Sequence, residues 1–333
     1  MAPSSPLLGR KSFVKPTRFL LFLLMSIIMA DDTTTCEGAA AMPAKVIVTG
    51  AGGQTGQALF RKLLALPQEF EPLGLVRTPA SKAALVDSGI PAASVAVVDV
   101  TQPDAIQSAV ADFTATSTTA KGSLSAFCIC TSAKPKPTDQ VDDETGRPVL
   151  GFPDGSPQEV DWIGQKQQID ACPAGTHIVV CSSMGGTDPN NRLNSFGRVT
   201  LKDGSVQGGN ILLWKRKAEV YLVDKCAAAA TATATAAGDA MTYTIVHPGG
   251  LQNEPGGERE VVVGVDDLES GSIPRDDVAQ VMLAAVRFPD AYKNRSFDIR
   301  AKPVGEGTVT ADFESLLEGL KGRNCDYSLG EIM

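Results

Sequence analysis

The chain has 333 residues, 43% hydrophobic and 20% charged, which is enough apolar content for a sizeable core and excludes a chain disordered by composition. With 30 basic against 38 acidic residues the net charge is −8, and this excludes the broad basic footprint of a general nucleic-acid binder while leaving room for a local cationic spot. Two histidines, His177 and His247, with no HExxH, no paired CxxC and no Gly-x-Ser-x-Gly, give no expectation of a metal site or of a nucleophile-elbow hydrolase.

The first 41 residues differ from the rest. Arg10, Lys11, Lys15 and Arg18 precede the apolar run Phe19–Ala30, the pattern of a signal-type leader. That run falls short of the ~20 residues that span a bilayer. The body is expected to start at Met42, with no membrane span once the leader is removed. Cys36, Cys128, Cys130, Cys172, Cys181, Cys226 and Cys325 are odd in number and irregularly spaced, so they are not a disulfide framework. A reduced body behind an export-type leader points to an organelle such as a plastid. The alternatives are the secretory pathway, or the cytoplasm if translation starts at Met42.

The body alternates strands and helices. Lys45–Thr49 is a β-branched strand ending in glycines, and Gln54–Leu66 repeats apolar residues at helical spacing. There follow strand Pro72–Arg77, helix Ser81–Asp87, strand Val95–Val98, helix Asp104–Phe113 and strand Leu124–Thr131. Residues 134–158, rich in Pro, Gly and Asp, read as a loop. Helix Val160–Cys172, strand His177–Ser182, helix Asn210–Cys226 and strand Thr242–His247 come next. The Ala/Thr stretch Ala227–Ala240 reads as an insertion between helix and strand, because interleaved Thr and Gly weaken helix formation. This alternation predicts an α/β fold with a doubly wound parallel sheet, and the near-continuously apolar strands fit burial on both faces.

Gly50, Gly53 and Gly56 form G-x-x-G-x-x-G between the first strand and the first helix. In that context Gly50, Gly52, Gly53, Gln54, Thr55 and Gly56 are expected to hold the pyrophosphate of a dinucleotide, through a tight turn, close backbone approach and a helix N-terminus. The second strand ends in Arg77, where the common dinucleotide fold carries an acid for the ribose diol of NAD. A guanidinium there pairs with a 2′-phosphate, which favours NADP over NAD. Asp99 is expected beside the adenine, and Thr131 and Ser132 along the crevice outside the strand ends.

Several segments then recur in a telling order: Glu159–Lys166 (EVDWIGQK), Ser183–Gly186, Trp214–Glu219 and Ile273–Ala279. With the glycine turn and Arg77 they resemble the atypical short-chain dehydrogenase/reductases, in the NAD(P)-binding group that includes plant plastid proteins, from about Lys45 to Leu320. The resemblance implies a Rossmann-type domain over 42–322, a small C-terminal substrate lobe at about 249–322, a tail at 323–333, and NADP as cofactor. By the same resemblance Ser183 matches the family's catalytic Ser, which hydrogen-bonds a substrate carbonyl. Lys215 matches the Lys that holds the nicotinamide ribose, and Pro248, Gly249 and Gly250 lie where the family contacts the nicotinamide by backbone. The matching Tyr position is Ile211, which carries no proton.

A literal Tyr221-x-x-x-Lys225 stands ten residues beyond Ile211, about 15 Å along a helix, and is expected to pack at the helix's C-terminal end. His247 is a candidate acid/base group whose commoner role is strand-end packing, and Asp277, beside Arg275, is expected as a cap or ion-pair partner. The implied function is an NADP(H)-dependent oxidoreductase acting on a small carbonyl-type substrate. The alternative is an NADP-binding regulatory or scaffold protein without turnover, because of Ile211.

Overall fold

The computed structural model describes residues 42–115, 124–141, 146, 148–200, 203, 206–233 and 240–332; the expected leader lies outside them. Eight strands build the central sheet: β1 (Ala44–Thr49), β2 (Phe70–Val76), β3 (Val95–Val97), β4 (Ala126–Ile129), β5 (His177–Cys181), β6 (Thr242–Pro248), β7 (Val261–Gly264) and β8 (Arg295–Ala301). Their order is β7-β8-β6-β5-β4-β1-β2-β3. Every pairing is parallel except β7 with β8. Helices α1 (Gln54–Leu64), α2 (Pro79–Asp87), α3 (Pro103–Ala115), α4 (Gln165–Ala171), α5 (Ile211–Thr233) and α6 (Arg275–Arg287) flank it. This is the Rossmann-like α/β sheet expected from the βα alternation.

Side chains alternate across each strand, and both faces are covered. Val46 and Val48 of β1 join Leu59, Phe60 and Leu63 of α1 and the buried face of α6 in one core. Ile47, between them, joins Phe127, Ile129, Ile178 and Leu222 in the other. The direction of winding reverses between β1 and β4, whose ends are in register at Thr49 and Ile129. A crevice outside the carboxyl ends of two such strands is where open α/β sheets bind ligands.

Three elements depart from the expectation drawn from sequence. Residues 134–158 are not all loop: Lys136–Val141 pairs antiparallel with Pro148–Gly151. One strand, KPTDQV, is polar, the other, PVLG, has only four residues, and neither shows a buried alternating face for periodicity to register. The helix expected at Val160–Cys172 begins as a π-helical stretch, Gln158–Gly164, before α4. Helix α5 continues to Thr233, because alanine's helix propensity carries it through Ala227–Ala230 and the Thr residues beyond. Tyr221 is therefore mid-helix rather than at a C-terminal end.

The segment 249–322, expected as a small lobe, supplies β7 and β8 to the central sheet and lays α6 against α1. A Lys62–Asp276 ion pair of 3.1 Å crosses that helix contact. The expected tail also packs: Cys325 is buried, and its N–H donates to Ser296 O at 3.0 Å. Among the described residues no helix is long and apolar enough to cross a membrane.

Candidate functional site

The glycine turn closes the crevice at the β1 end. Gly50 has φ +65°, and a Cβ there would lie 2.6 Å from Cys130 O, just past β4. Gly53 N donates to Gly50 O at 2.8 Å. Gly56, in the first turn of α1, presses on the same carbonyl so closely that a Cβ would collide with it. These two glycines seat helix against strand. Gly52, by contrast, is exposed on the outer side of the turn.

Helix α1 follows with no side-chain cap from Gly53 and no acidic residue in its first turn, where Gln54, Thr55 and Gly56 stand. Its leading N–H groups are thus left without a side-chain acceptor and carry the helix's partial positive charge. That arrangement fits a diphosphate. Asn253 Oδ1 accepts from Gln54 Nε2 at 3.2 Å and from Arg275 Nη1 at 2.6 Å, so Arg275 brings a cation to the rim of the turn.

Arg77 follows β2 and is half-exposed. Its guanidinium donates to Asp154 O, and Nη2 lies 3.8 Å from Asp154 Oδ1. Lys136 pairs with the same carboxylate. The Lys136 hydrogen bond, with the charges of Lys136 and Arg77, holds the Asp154 carboxyl below its ordinary value. Asp99, two residues past β3, closes its own turn by accepting from Thr101 N at 2.9 Å and Thr101 Oγ1 at 2.8 Å.

Past β4, Gln168 ties the strand ends together. Its Nε2 donates to Thr131 Oγ1 at 3.1 Å, and its Oε1 accepts from Thr49 Oγ1 at 2.7 Å. Ser132 Oγ donates to Ala133 O at 3.3 Å. Ala133 N donates to Asp161 Oδ2 at 3.0 Å, and Asp161 Oδ1 lies 2.8 Å from Lys215 Nζ. Burial pushes the Lys215 amine down, but Asp161, Cys181 and Glu219 outweigh it and hold the amine above its ordinary value. Lys215 is a fixed cation. Ile211, one turn earlier, is buried against Ala133, Val160 and Leu212 and fills apolar space without supplying a hydroxyl.

Ser183 Oγ donates to Met184 O at 3.0 Å, and no hydrogen bond joins Ser183 to Lys215 among the described residues. Ser183 instead lines a cavity of about 10 Å³ with Arg216, Glu219 and His247. His247 is buried, with Nε2 3.3 Å from Glu219 Oε2 and Nδ1 3.4 Å from Asp298 Oδ1. Cys325 Sγ lies 3.5 Å from Nδ1, and Ser182 donates to Glu219. Beside it, Pro248 O accepts from Met184 N at 3.0 Å, and Gly249 N and Gly250 N donate to Ile299 O and Gly271 O at 2.9 Å each.

Tyr221 and Lys225 both bind Asp170 on an exposed helix face. Asp277 Oδ1 accepts from Gly257 N at 2.6 Å and pins that loop. Asp161, Gln168 and Glu219 were not assigned roles from sequence. Asp161 stands inside the EVDWIGQK segment, and its signal is a carboxylate set between the apolar Val160 and Trp162.

Residues 50–289 match the family described as NAD(P)H-binding. An uncharacterized chloroplastic protein of Arabidopsis thaliana is 39% identical over 293 residues, covering 86% of this chain and 78% of that protein. Sanguinarine reductase of Eschscholzia californica is 36% identical over 296 residues, covering 81% and 94%. Among solved structures, a putative NAD-dependent epimerase/dehydratase from Bacillus halodurans shares the fold, with a TM-score of 0.51 and 20% identity over 83% of this chain and 99% of that one.

Proposed function

The chain belongs to the NAD(P)H-binding family, and on that premise we propose that it is an NADP(H)-dependent oxidoreductase acting on a small carbonyl-type substrate. The observation that carries this reading is the uncapped, carboxylate-free start of α1, closed against β4 by Gly50 and Gly56. Gly50 to Gly56 hold the diphosphate there. Arg77 takes the 2′-phosphate by exchanging Asp154 for it, Asp99 lies beside the adenine, and Thr131 and Ser132 line the crevice. Lys215, its charge fixed by Asp161, holds the nicotinamide ribose, and the Pro248–Gly250 backbone faces the ring.

A nicotinamide cofactor supplies a hydride when bound. Ser183 positions the acceptor oxygen by a hydrogen bond, giving up its bond to Met184 O. The name of the Eschscholzia californica relative, a reductase, supports reduction as the direction. The basic-then-apolar leader and the chloroplastic relative support a plastid location.

The test is NADPH oxidation by the purified chain across a panel of carbonyls and quinones. We expect turnover that falls at least ~10-fold in Ser183→Ala, in the range of a lost hydrogen bond to developing charge. NADPH binding with no oxidation by any acceptor overturns the oxidoreductase reading. That result instead supports a second reading, an NADP-binding regulatory protein without turnover, which Ile211 at the Tyr position favours. A Ser183-dependent rate excludes it.

A further inference from the structure

The buried cluster around His247 is not used by the cofactor reading. Its members come from three places far apart in sequence: His247 on β6, Asp298 on β8 and Cys325 in the C-terminal segment. His247 Nδ1, Asp298 Oδ1 and Cys325 Sγ form a triangle with sides of 3.4, 3.5 and 3.7 Å. We propose that these three side chains form a binding site for a zinc-class divalent ion.

The triangle has the right size. A point equidistant from its corners lies about 2.0 Å from each, and zinc bonds to His N, carboxylate O and thiolate S run roughly 2.0–2.3 Å. The donor set also selects the ion. One imidazole, one carboxylate and one thiolate suit zinc, whereas calcium and magnesium take oxygen ligands. Thiolate and carboxylate together balance a 2+ charge, and the thiol proton of Cys325 leaves to solvent as the ion binds.

The surroundings are those of a metal site. Glu219 Oε2 faces the other imidazole nitrogen at 3.3 Å, the outer carboxylate that fixes a ligating imidazole. With Nε2 donating to Glu219, Nδ1 is free of a proton and turned to the ion. Ser182 in turn donates to Glu219. Asp267 N donates to Asp298 Oδ2 at 2.7 Å, holding one carboxylate oxygen and leaving Oδ1 for the metal. The fourth position opens on the cavity of about 10 Å³ that all three ligand residues line, space for about one water. The site anchors the C-terminal segment to β6 and β8 where His247 and Asp298 stand in register.

The full chain, freed of metal by a chelator, is titrated with Co²⁺ and then with Zn²⁺. The expected result is one cobalt per chain with a thiolate-to-cobalt charge-transfer band, displaced by one equivalent of zinc. Asp298→Asn and Cys325→Ser each weaken binding by at least ~10-fold. A wild-type chain that shows no thiolate band on cobalt addition overturns the proposal, whatever the variants do. So does a band that persists unchanged in Cys325→Ser, which would place the ion elsewhere. The wild-type spectrum decides even if a variant fails to fold, and it reads neither NADPH binding nor turnover.

Discussion

Lys215 Nζ lies 2.8 Å from Asp161 Oδ1, with the Asp161 side chain fully buried and that of Lys215 7% exposed. The pair joins α5 to the π-helical stretch beside the crevice, and it sets where the ammonium can point. Removing one partner leaves the other charge buried and uncompensated, at a cost of about 3–5 kcal/mol. Asp161→Asn is therefore expected to lower the melting temperature sharply and to weaken NADPH binding. Adding Lys215→Met should recover much of the stability and none of the binding. A melting temperature unchanged in Asp161→Asn would show that the ion pair holds nothing in place.

Arg77 and Asp154 make a second set of predictions. Arg77→Ala is expected to weaken NADP by ~1–3 kcal/mol, as for a lost charged hydrogen bond, and to leave NAD nearly unaffected. Asp154 competes for the same guanidinium, so Asp154→Asn should tighten NADP. Calorimetric titration of both cofactors checks each. Equal losses for NADP and NAD in Arg77→Ala would remove the 2′-phosphate role.

The turn glycines are predicted to differ sharply in tolerance. Gly56→Ala drives a methyl into Gly50 O, and Gly50→Ala drives one to 2.6 Å from Cys130 O at φ +65°. Both obstacles are backbone and cannot swing aside, so each variant should cost at least ~2 kcal/mol, in the range of overpacking and backbone strain. Gly52→Ala meets its nearest neighbour, Val76, at 3.5 Å, an ordinary contact. It should fold like the parent and reveal any loss of cofactor by itself. Thermal melts of the three variants check the contrast, and equal losses would contradict it.

His177 gives the pH dependence. Thr244 Oγ1 donates to Tyr292 O at 2.8 Å, so His177 Nε2 must donate to Thr244, and Nδ1 accepts from Thr242 Oγ1 at 2.8 Å. The ring is neutral in the fold, and burial pushes its pKa from 6.5 down to about 4. An unfolded chain takes up this proton at higher pH than the folded one. The stability tied to a neutral His177 is therefore complete above about pH 6.5 and lost as pH falls toward about 4, a change of about 3 kcal/mol. In His177→Gln the fall in melting temperature across that window should flatten. A parallel fall in parent and variant would assign it to other groups.

The two ends of the glycine turn were legible because their requirements are local. Spacing in Thr49–Gly56 demands close backbone packing, the β-branched run Lys45–Thr49 marks a strand buried on both faces, and the helical apolar spacing of Gln54–Leu66 marks the buried face of α1. Periodicity does not say what a buried polar side chain will meet. Asp161 finds Lys215 54 positions away, and His247 meets Cys325 78 positions away, pairings that only the folded chain creates. β7 escaped notice because it has only four residues and follows Gly- and Pro-rich sequence, and β8 because charged residues interrupt its apolar ones. Tyr221 and Lys225 show the converse. Their spacing imitates a catalytic pair, yet the fold commits both to Asp170.

Titration of the full chain with NADPH and NADH decides whether the glycine turn and Arg77 hold a phosphorylated dinucleotide. The arrangement of Gly50, Gly56, α1 and Arg77 predicts one NADPH bound per chain, at least ~10-fold (about 1.4 kcal/mol) tighter than NADH. Binding of neither nucleotide, or tighter binding of NADH, would contradict it.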